Sequence, residues 1–153
     1  MNQKSSIKIA FIRASWHADI VNQAHEGFVT TLKEKMPTAS VDVYDVPGSL
    51  EIPLQAQQLA NSGGYQLIVA AGLVVDGGIY RHDFVAQSVL DGMMRVQLDC
   101  NVPILSVVLT PHHFQDTEQH REFFFDHFRL KGIEAAQACL GVLGNQERLS
   151  KVA

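Results

Sequence analysis

The sequence predicts one α/β domain: a parallel sheet covered by helices on both faces, taking up its ligand at the carboxyl ends of the strands. Three observations carry that expectation. Apolar runs of strand length alternate with segments of helical period, in the order β-α-β-α-β-α-β-α. The 153 residues suit a single core spanning residues 1–153, and 46% hydrophobic with 18% charged residues is ordinary globular composition. No linker, repeat or low-complexity segment breaks the pattern.

Ile7 to Ile12 has the length and β-branched content of a buried strand. From Asp19 the period changes, and Ile20, Ala24, Phe28 and Leu32 make one helical stripe that Pro37 ends. Val41 to Val46 forms a second strand, punctuated by Pro47-Gly48; Glu51 to Ser62 follows as helix, closed by Gly63-Gly64. Leu67 to Val75 is almost wholly apolar and therefore a central strand. A helix from about Arg81 to Asp99 repeats apolar residues at Val85, Val89, Met93 and Val96. Pro103 precedes a fourth strand, Ile104 to Leu109. A polar, His-rich and Phe-rich stretch after Pro111 leads into a closing helix with Ile133, Ala136, Leu140 and Leu143 on one stripe.

Charge and cysteine content exclude several classes. Twelve basic and 16 acidic residues are interspersed to a net charge of −4, which argues against nucleic acid or an anionic membrane as partner. The longest apolar run, Leu67 to Val75, is far too short to span a bilayer. Met1 to Ser6 are polar, so no secretory signal is expected, and a cytoplasmic setting is. Cys100 and Cys139 lie far apart in sequence, which suits reduced, buried or half-buried thiols.

The loops at the strand ends hold the unusual residues. Trp16 follows the first strand, where it either offers a flat stacking surface for a heterocycle or caps the core. Ser49, Leu50 and Glu51 follow the second, where Glu51 either binds polyol hydroxyls or complements the helix dipole. Asp76-Gly77-Gly78-Ile79 follows the third, a candidate anion nest before a helix start. Arg81 and His82 at that start are poorly placed for the dipole unless an anion lies nearby. His113, His120 and His127 recur every seven residues, but two helical turns separate neighbours by about 10 Å, too far to share one metal ion directly. An interface or a phosphate pocket fits these histidines better. Phe123, Phe124, Phe125 and Phe128 are too many aromatics for one side of a short helix, so some should face a neighbouring subunit.

At these residues the chain resembles the lumazine synthase family. The most specific match is Val46 to Pro53, Val-Pro-Gly-Ser-Leu-Glu-Ile-Pro. Trp16, the segments Gly72 to Val85 and Val102 to Thr110, and Lys131 to Ala136 match further, in the same order over nearly the whole chain. The resemblance implies a flavodoxin-like three-layer α/β/α sandwich with a four-stranded parallel sheet. It implies condensation of 5-amino-6-ribitylamino-2,4(1H,3H)-pyrimidinedione with 3,4-dihydroxy-2-butanone 4-phosphate, with no cofactor and no metal.

By that resemblance Trp16 stacks on the pyrimidinedione ring. Ser49, Leu50 and Glu51 hold the ribityl chain, and the backbone of Leu73, Val74 and Val75 reads the pyrimidine edge. The amides of Gly78 and Ile79 meet the phosphate, and Ser106 takes a pocket position that is often Phe. The family's catalytic His aligns with Arg81, and His82 follows it, so His82 is favoured for proton transfer and Arg81 for phosphate charge. The family's phosphate-binding Arg has no clear equivalent; the stretch before the last helix offers His120, Arg121, His127 and Arg129 instead, with His120 and His127 taken as candidates. These departures resemble the second type of the family, which forms a homo-oligomer, a pentamer or a dimer of pentamers (a decamer), with a site shared between neighbouring subunits. The alternative is a weakly catalytic or non-catalytic flavin- or lumazine-binding assembly, motivated by the substitution at Arg81.

Overall fold

The computed structural model describes residues 6–76, 81–111 and 114–153. Four strands, β1 (Lys8–Ala14), β2 (Ser40–Val46), β3 (Leu67–Leu73) and β4 (Ile104–Leu109), form one sheet in the order β2-β1-β3-β4. All three pairings are parallel, with Phe11 opposite Val43 on one side and Val69 on the other. The helices are α1 (Ala18–Lys35), α2 (Ile52–Asn61), α3 (His82–Cys100) and α4 (Glu118–Ser150), and a 3-10 turn over Ser49–Glu51 leads into α2. This is the flavodoxin-like α/β/α architecture, and the strand order reverses between β1 and β3.

The alternation of side chains along each strand divides the core in two. Ile9 and Phe11 of β1 pack with Leu67, Val69 and Ala71 of β3 against α1 and α4, through Ile20, Phe28, Phe128 and Ala136. Ala10 and Ile12 pack with Ile68 and Ala70 against α2 and α3, through Ile52, Ala56, Val89 and Met93. Every residue of β3 is buried, which is why its sequence is a continuous apolar run rather than an alternating one.

Helices α1 and α4 cross at contact distance because each supplies a glycine there. A β-carbon on Gly27 would stand 2.3 Å from the Arg129 carbonyl oxygen, and one on Gly132 would stand 2.0 Å from the Ala24 carbonyl oxygen. Backbone meets backbone at this crossing.

The last helix corrects the sequence reading. It begins at Glu118, well ahead of Lys131, so His120, Arg121, His127 and Arg129 lie on α4 and not on a loop. Thr117 caps it, its Oγ1 accepting the His120 N–H at 3.3 Å. Phe128 is wholly buried one turn before Gly132, and Phe124 packs beside it, which extends the apolar stripe back through the polar stretch. Phe123 and Phe125 face outward, as the surplus of aromatics led us to expect. Smaller differences sit at the ends of β1 and β3, which run to Ala14 and Leu73.

Candidate active site

The carboxyl ends of β1 and β3, at the point where the strand order reverses, border a cleft of about 330 Å³. Its lining joins three chain segments: Trp16 after β1; Pro47, Gly48, Ser49, Leu50 and Glu51 after β2; and Leu73, Val74 and Val75 after β3. Val85 of α3 closes one side. The walls are mostly apolar, with a small number of polar groups to fix orientation, as small-molecule sites require.

Trp16 does not cap the core. It is 70% exposed, beside the Pro47-Gly48 turn. Ser15 anchors the loop on one side, its N–H and its hydroxyl donating to the Val46 carbonyl at 2.9 and 2.8 Å. His17 anchors it on the other, in the left-handed region at φ 51°, with its carbonyl accepting the Ile20 and Val21 N–H groups at the start of α1. A residue other than glycine holds that conformation at a cost, so neighbouring contacts must fix it.

Two glycines shape the opposite wall. A β-carbon on Gly48 would approach Glu51 Oε2 to 3.1 Å and the Trp16 indole to 3.7 Å, so the glycine lets ring and carboxylate share one corner. Gly72 of β3 does the same for Ser49. Glu51 is exposed and also stands at the N-cap of α2 without a side-chain cap hydrogen bond, so facing the cleft and complementing the dipole are compatible. At the floor, the Val74 N–H donates to the Leu109 carbonyl at 2.9 Å, and the Val74 carbonyl accepts from Thr110 Oγ1 at 2.9 Å.

The start of α3 separates Arg81 from His82. The Arg81 side chain is 70% exposed, pairs with Asp83 at 3.1 Å and lies 4.3 Å over the Phe84 ring. The anion that its position called for is thus supplied by its own chain. His82 is half-buried and shares the inner stripe of Val85, Ala86 and Val89, so it stands one turn from the cleft wall. The expected phosphate amides of Gly78 and Ile79, with Gly77, lie outside the described residues, as does His113.

Other expected residues do not line this cleft. Ser106 is exposed on the edge strand β4, with its Oγ accepting the Val108 N–H at 3.3 Å. His120 accepts the Gln115 N–H on Nδ1 at 3.2 Å, and His127 stacks on Phe123 at 5.8 Å. Arg121 is occupied too: its guanidinium donates to Asp19, to Asp116 at 3.0 Å, and contacts His17 Nδ1 at 3.3 Å. The hydrogen bond from Arg121 holds the Asp19 carboxyl below its ordinary pKa.

A second, polar hollow of about 440 Å³ lies beside the start of α1, lined by Arg13, Asp19, Asn22 and Asp45. Its charges are already matched, since Arg13 donates twice to Asp45, at 2.8 and 3.1 Å, and once to Asn22. Among the described residues no group of three His, Cys, Asp or Glu side chains could hold a metal ion, and no helix is long and apolar enough to cross a membrane.

Pro47, Gly48 and Val85 are cleft residues that sequence reasoning missed as such. The first two were legible as a turn and the third as a core stripe, and nothing in their spacing marks a ligand. Comparison with known proteins matches residues 6–146 to the 6,7-dimethyl-8-ribityllumazine synthase family. A 6,7-dimethyl-8-ribityllumazine synthase of Rhodococcus erythropolis is 57% identical over 139 residues, 90% of each chain. 6,7-Dimethyl-8-ribityllumazine synthase 2 of Pseudomonas syringae pv. tomato is 53% identical, over 95% of this chain and 86% of that one. A 6,7-dimethyl-8-ribityllumazine synthase of Xylella fastidiosa is 33% identical, over 93% of this chain and 91% of that one.

Proposed function

The chain belongs to the 6,7-dimethyl-8-ribityllumazine synthase family, and we propose that the Trp16 cleft is where it carries out the family's reaction. It is an enzyme of riboflavin biosynthesis. It condenses 5-amino-6-ribitylamino-2,4(1H,3H)-pyrimidinedione with 3,4-dihydroxy-2-butanone 4-phosphate to 6,7-dimethyl-8-ribityllumazine. The substrate amine attacks the ketone and loses water as the imine forms; phosphate is then eliminated, and ring closure releases a second water.

The observation that carries the site assignment is the meeting of Trp16, Ser49-Leu50-Glu51 and Leu73-Val74-Val75 around one cleft. The exposed indole of Trp16 stacks on the pyrimidinedione, and Glu51 with Ser49 takes the ribityl hydroxyls beside the apolar Leu50. The ring edge is read by the backbone around Leu73 and Val75, because the Val74 N–H is already donated to Leu109. Gly78 and Ile79 hold the phosphate. His82, on the inner stripe of α3, moves the proton, while Arg81 contributes charge from the rim. Holding the two substrates together supplies much of the rate, since effective molarities can be worth roughly 7–11 kcal/mol.

The binding-only alternative drew on Arg81 in the catalytic position. With Arg81 turned outward onto Asp83 and Phe84, the inner position falls to His82, and that motive weakens.

We infer further that the working form is a homo-oligomer in the cytoplasm, a pentamer or a dimer of pentamers. Leu90, Met94 and Leu98 recur every four residues on the outer face of α3 and are exposed, with Leu54 of α2 and Phe123 of α4 exposed as well. Ser106, His120 and His127 then serve the cleft of a neighbouring subunit. The Pseudomonas relative named synthase 2 supports the second type.

The test is to mix the purified protein with both substrates and follow the fluorescent lumazine product. Formation faster than the uncatalysed condensation is expected, and a rate equal to it overturns the reading. Sedimentation should give a multiple of five chains; a stable monomer overturns the shared site.

A further inference from the structure

We propose that Arg121 is a positioning residue that locks the Trp16 loop in its ring-stacking place, through His17 and Asp19. The inference rests on the reading that Trp16 stacks on the pyrimidinedione. It concerns a residue remote in sequence, on the first turn of α4, which the sequence offered only as a phosphate ligand.

The geometry runs outward from the guanidinium. One terminal nitrogen of Arg121 contacts His17 Nδ1 at 3.3 Å and Asp116 at 3.0 Å; the other donates to Asp19 in the first turn of α1. Donation to His17 Nδ1 requires the imidazole proton on Nε2. His17 is held on its other side by Phe114, edge-on at 5.2 Å between ring centres. The base of the clamp is itself fixed, because Thr117 caps α4 and the Arg121 N–H donates to the Thr117 carbonyl at 2.9 Å.

Those contacts converge on the residue that needs them. His17 sits in the left-handed region, and the chain reverses there between β1 and α1. Trp16 lies between Ser15, tied to Val46, and His17, tied to Arg121, with its ring otherwise exposed. Ser15 and the His17 carbonyl hold the backbone at the two ends of the loop, and the Arg121 clamp adds the hold on the His17 side chain. A phosphate would have to displace two carboxylates to reach Arg121, so its charge serves the fold of the loop.

Trp16 is the single tryptophan of the chain, which makes the proposal directly readable. Time-resolved fluorescence anisotropy of the ligand-free protein reports the motion of that ring. Arg121→Met and Asp19→Asn should each enlarge the fast component. If the loosened loop holds the stacking position about one time in ten, KM for the ribitylaminopyrimidinedione rises about tenfold. Because the clamp touches no reacting atom, kcat should hold within about twofold. Arg121→Lys, which keeps the charge but not the fork, should recover some of the loss. The double variant should loosen Trp16 no further than either single one.

Unchanged ring motion in both single variants overturns the clamp, as does enlarged motion with an unaltered KM. Asp19→Asn keeps the question open to measurement should Arg121→Met fold poorly. Trp16→Ala separates this from the stacking reading. If that variant keeps its KM, the stacking fails on its own account, and the anisotropy still decides the clamp.

Discussion

Gly72 stands so close to Ser49 that a β-carbon on it would lie 2.6 Å from the Ser49 Oγ and 3.3 Å from the Ala14 methyl. The central strand thus presses bare backbone against the Ser49 side chain, in the loop that also carries Glu51. Gly72→Ala should force Ser49 away and crowd β1. Overpacking of this kind costs typically about 1–3 kcal/mol, and KM for the ribityl substrate should rise as well. Chemical denaturation and steady-state kinetics check both. A variant with unchanged stability and KM would show that the contact is easily relieved.

The glycines of α4 should behave in opposite ways. Gly132 meets the Ala24 carbonyl, whereas Gly141 and Gly144 are exposed and have nothing within 4 Å of a built β-carbon. Gly132→Ala must push the backbones of α1 and α4 away from each other and should destabilise the fold by well over about 1 kcal/mol, read from chemical denaturation. Gly144→Ala fills open space in a helix and should stabilise by about 0.5–1 kcal/mol. Equal effects at the two positions would contradict the close crossing.

The alternation of apolar runs made the sheet, its parallel sense and its central strand legible from the residues alone. The loops carrying Trp16 and Glu51 followed, since a parallel sheet puts its ligand at the strand ends, whereas Leu73 to Val75 read as strand and entered the site only through the family resemblance. The start of α4 was not legible, because a polar helix whose inner face is only Phe124, Phe128 and Gly132 has the composition of a loop. Nor was the Arg121 clamp, since its partner Asp19 lies 102 residues away and long-range ion pairs leave no period in a sequence. The roles of Gly48 and Gly72 were hidden for a related reason. A glycine marks a close approach but not what approaches.

His25 predicts how stability responds to pH. Its Nδ1 is buried with no hydrogen-bond partner among the described residues, and its ring lies edge-on to Phe11 at 5.1 Å. Burial first, then the Arg13 charge, lowers its pKa from the ordinary 6.5. The unfolded chain therefore takes up the proton before the folded one does. The stabilisation is complete above the unfolded value and is lost as pH falls from there through the lowered folded value. Thermal melts between about pH 7.5 and 5.5 should show a decline that His25→Phe flattens. An equally steep decline in the variant would place the titrating group elsewhere.

The two candidates at the start of α3 should differ in their kinetics. His82 lies on the stripe of Val85, which lines the cleft, whereas Arg81 is folded outward over Phe84 and paired with Asp83. Loss of a positioned proton carrier costs typically about 10²–10⁴-fold, so His82→Ala should lower kcat by about a hundredfold. Turnover should still exceed the uncatalysed condensation, because the cleft continues to hold both substrates together. His82→Gln, which keeps a hydrogen-bonding side chain but is a poor proton carrier, should fall as far. Arg81→Ala should act mainly on KM for the phosphate-bearing substrate, by less than about tenfold, because its charge is exposed and shared with Asp83. A larger fall in kcat for Arg81→Ala than for His82→Ala would reverse the assignment, and would mean that the guanidinium leaves Asp83 and turns inward when substrate binds.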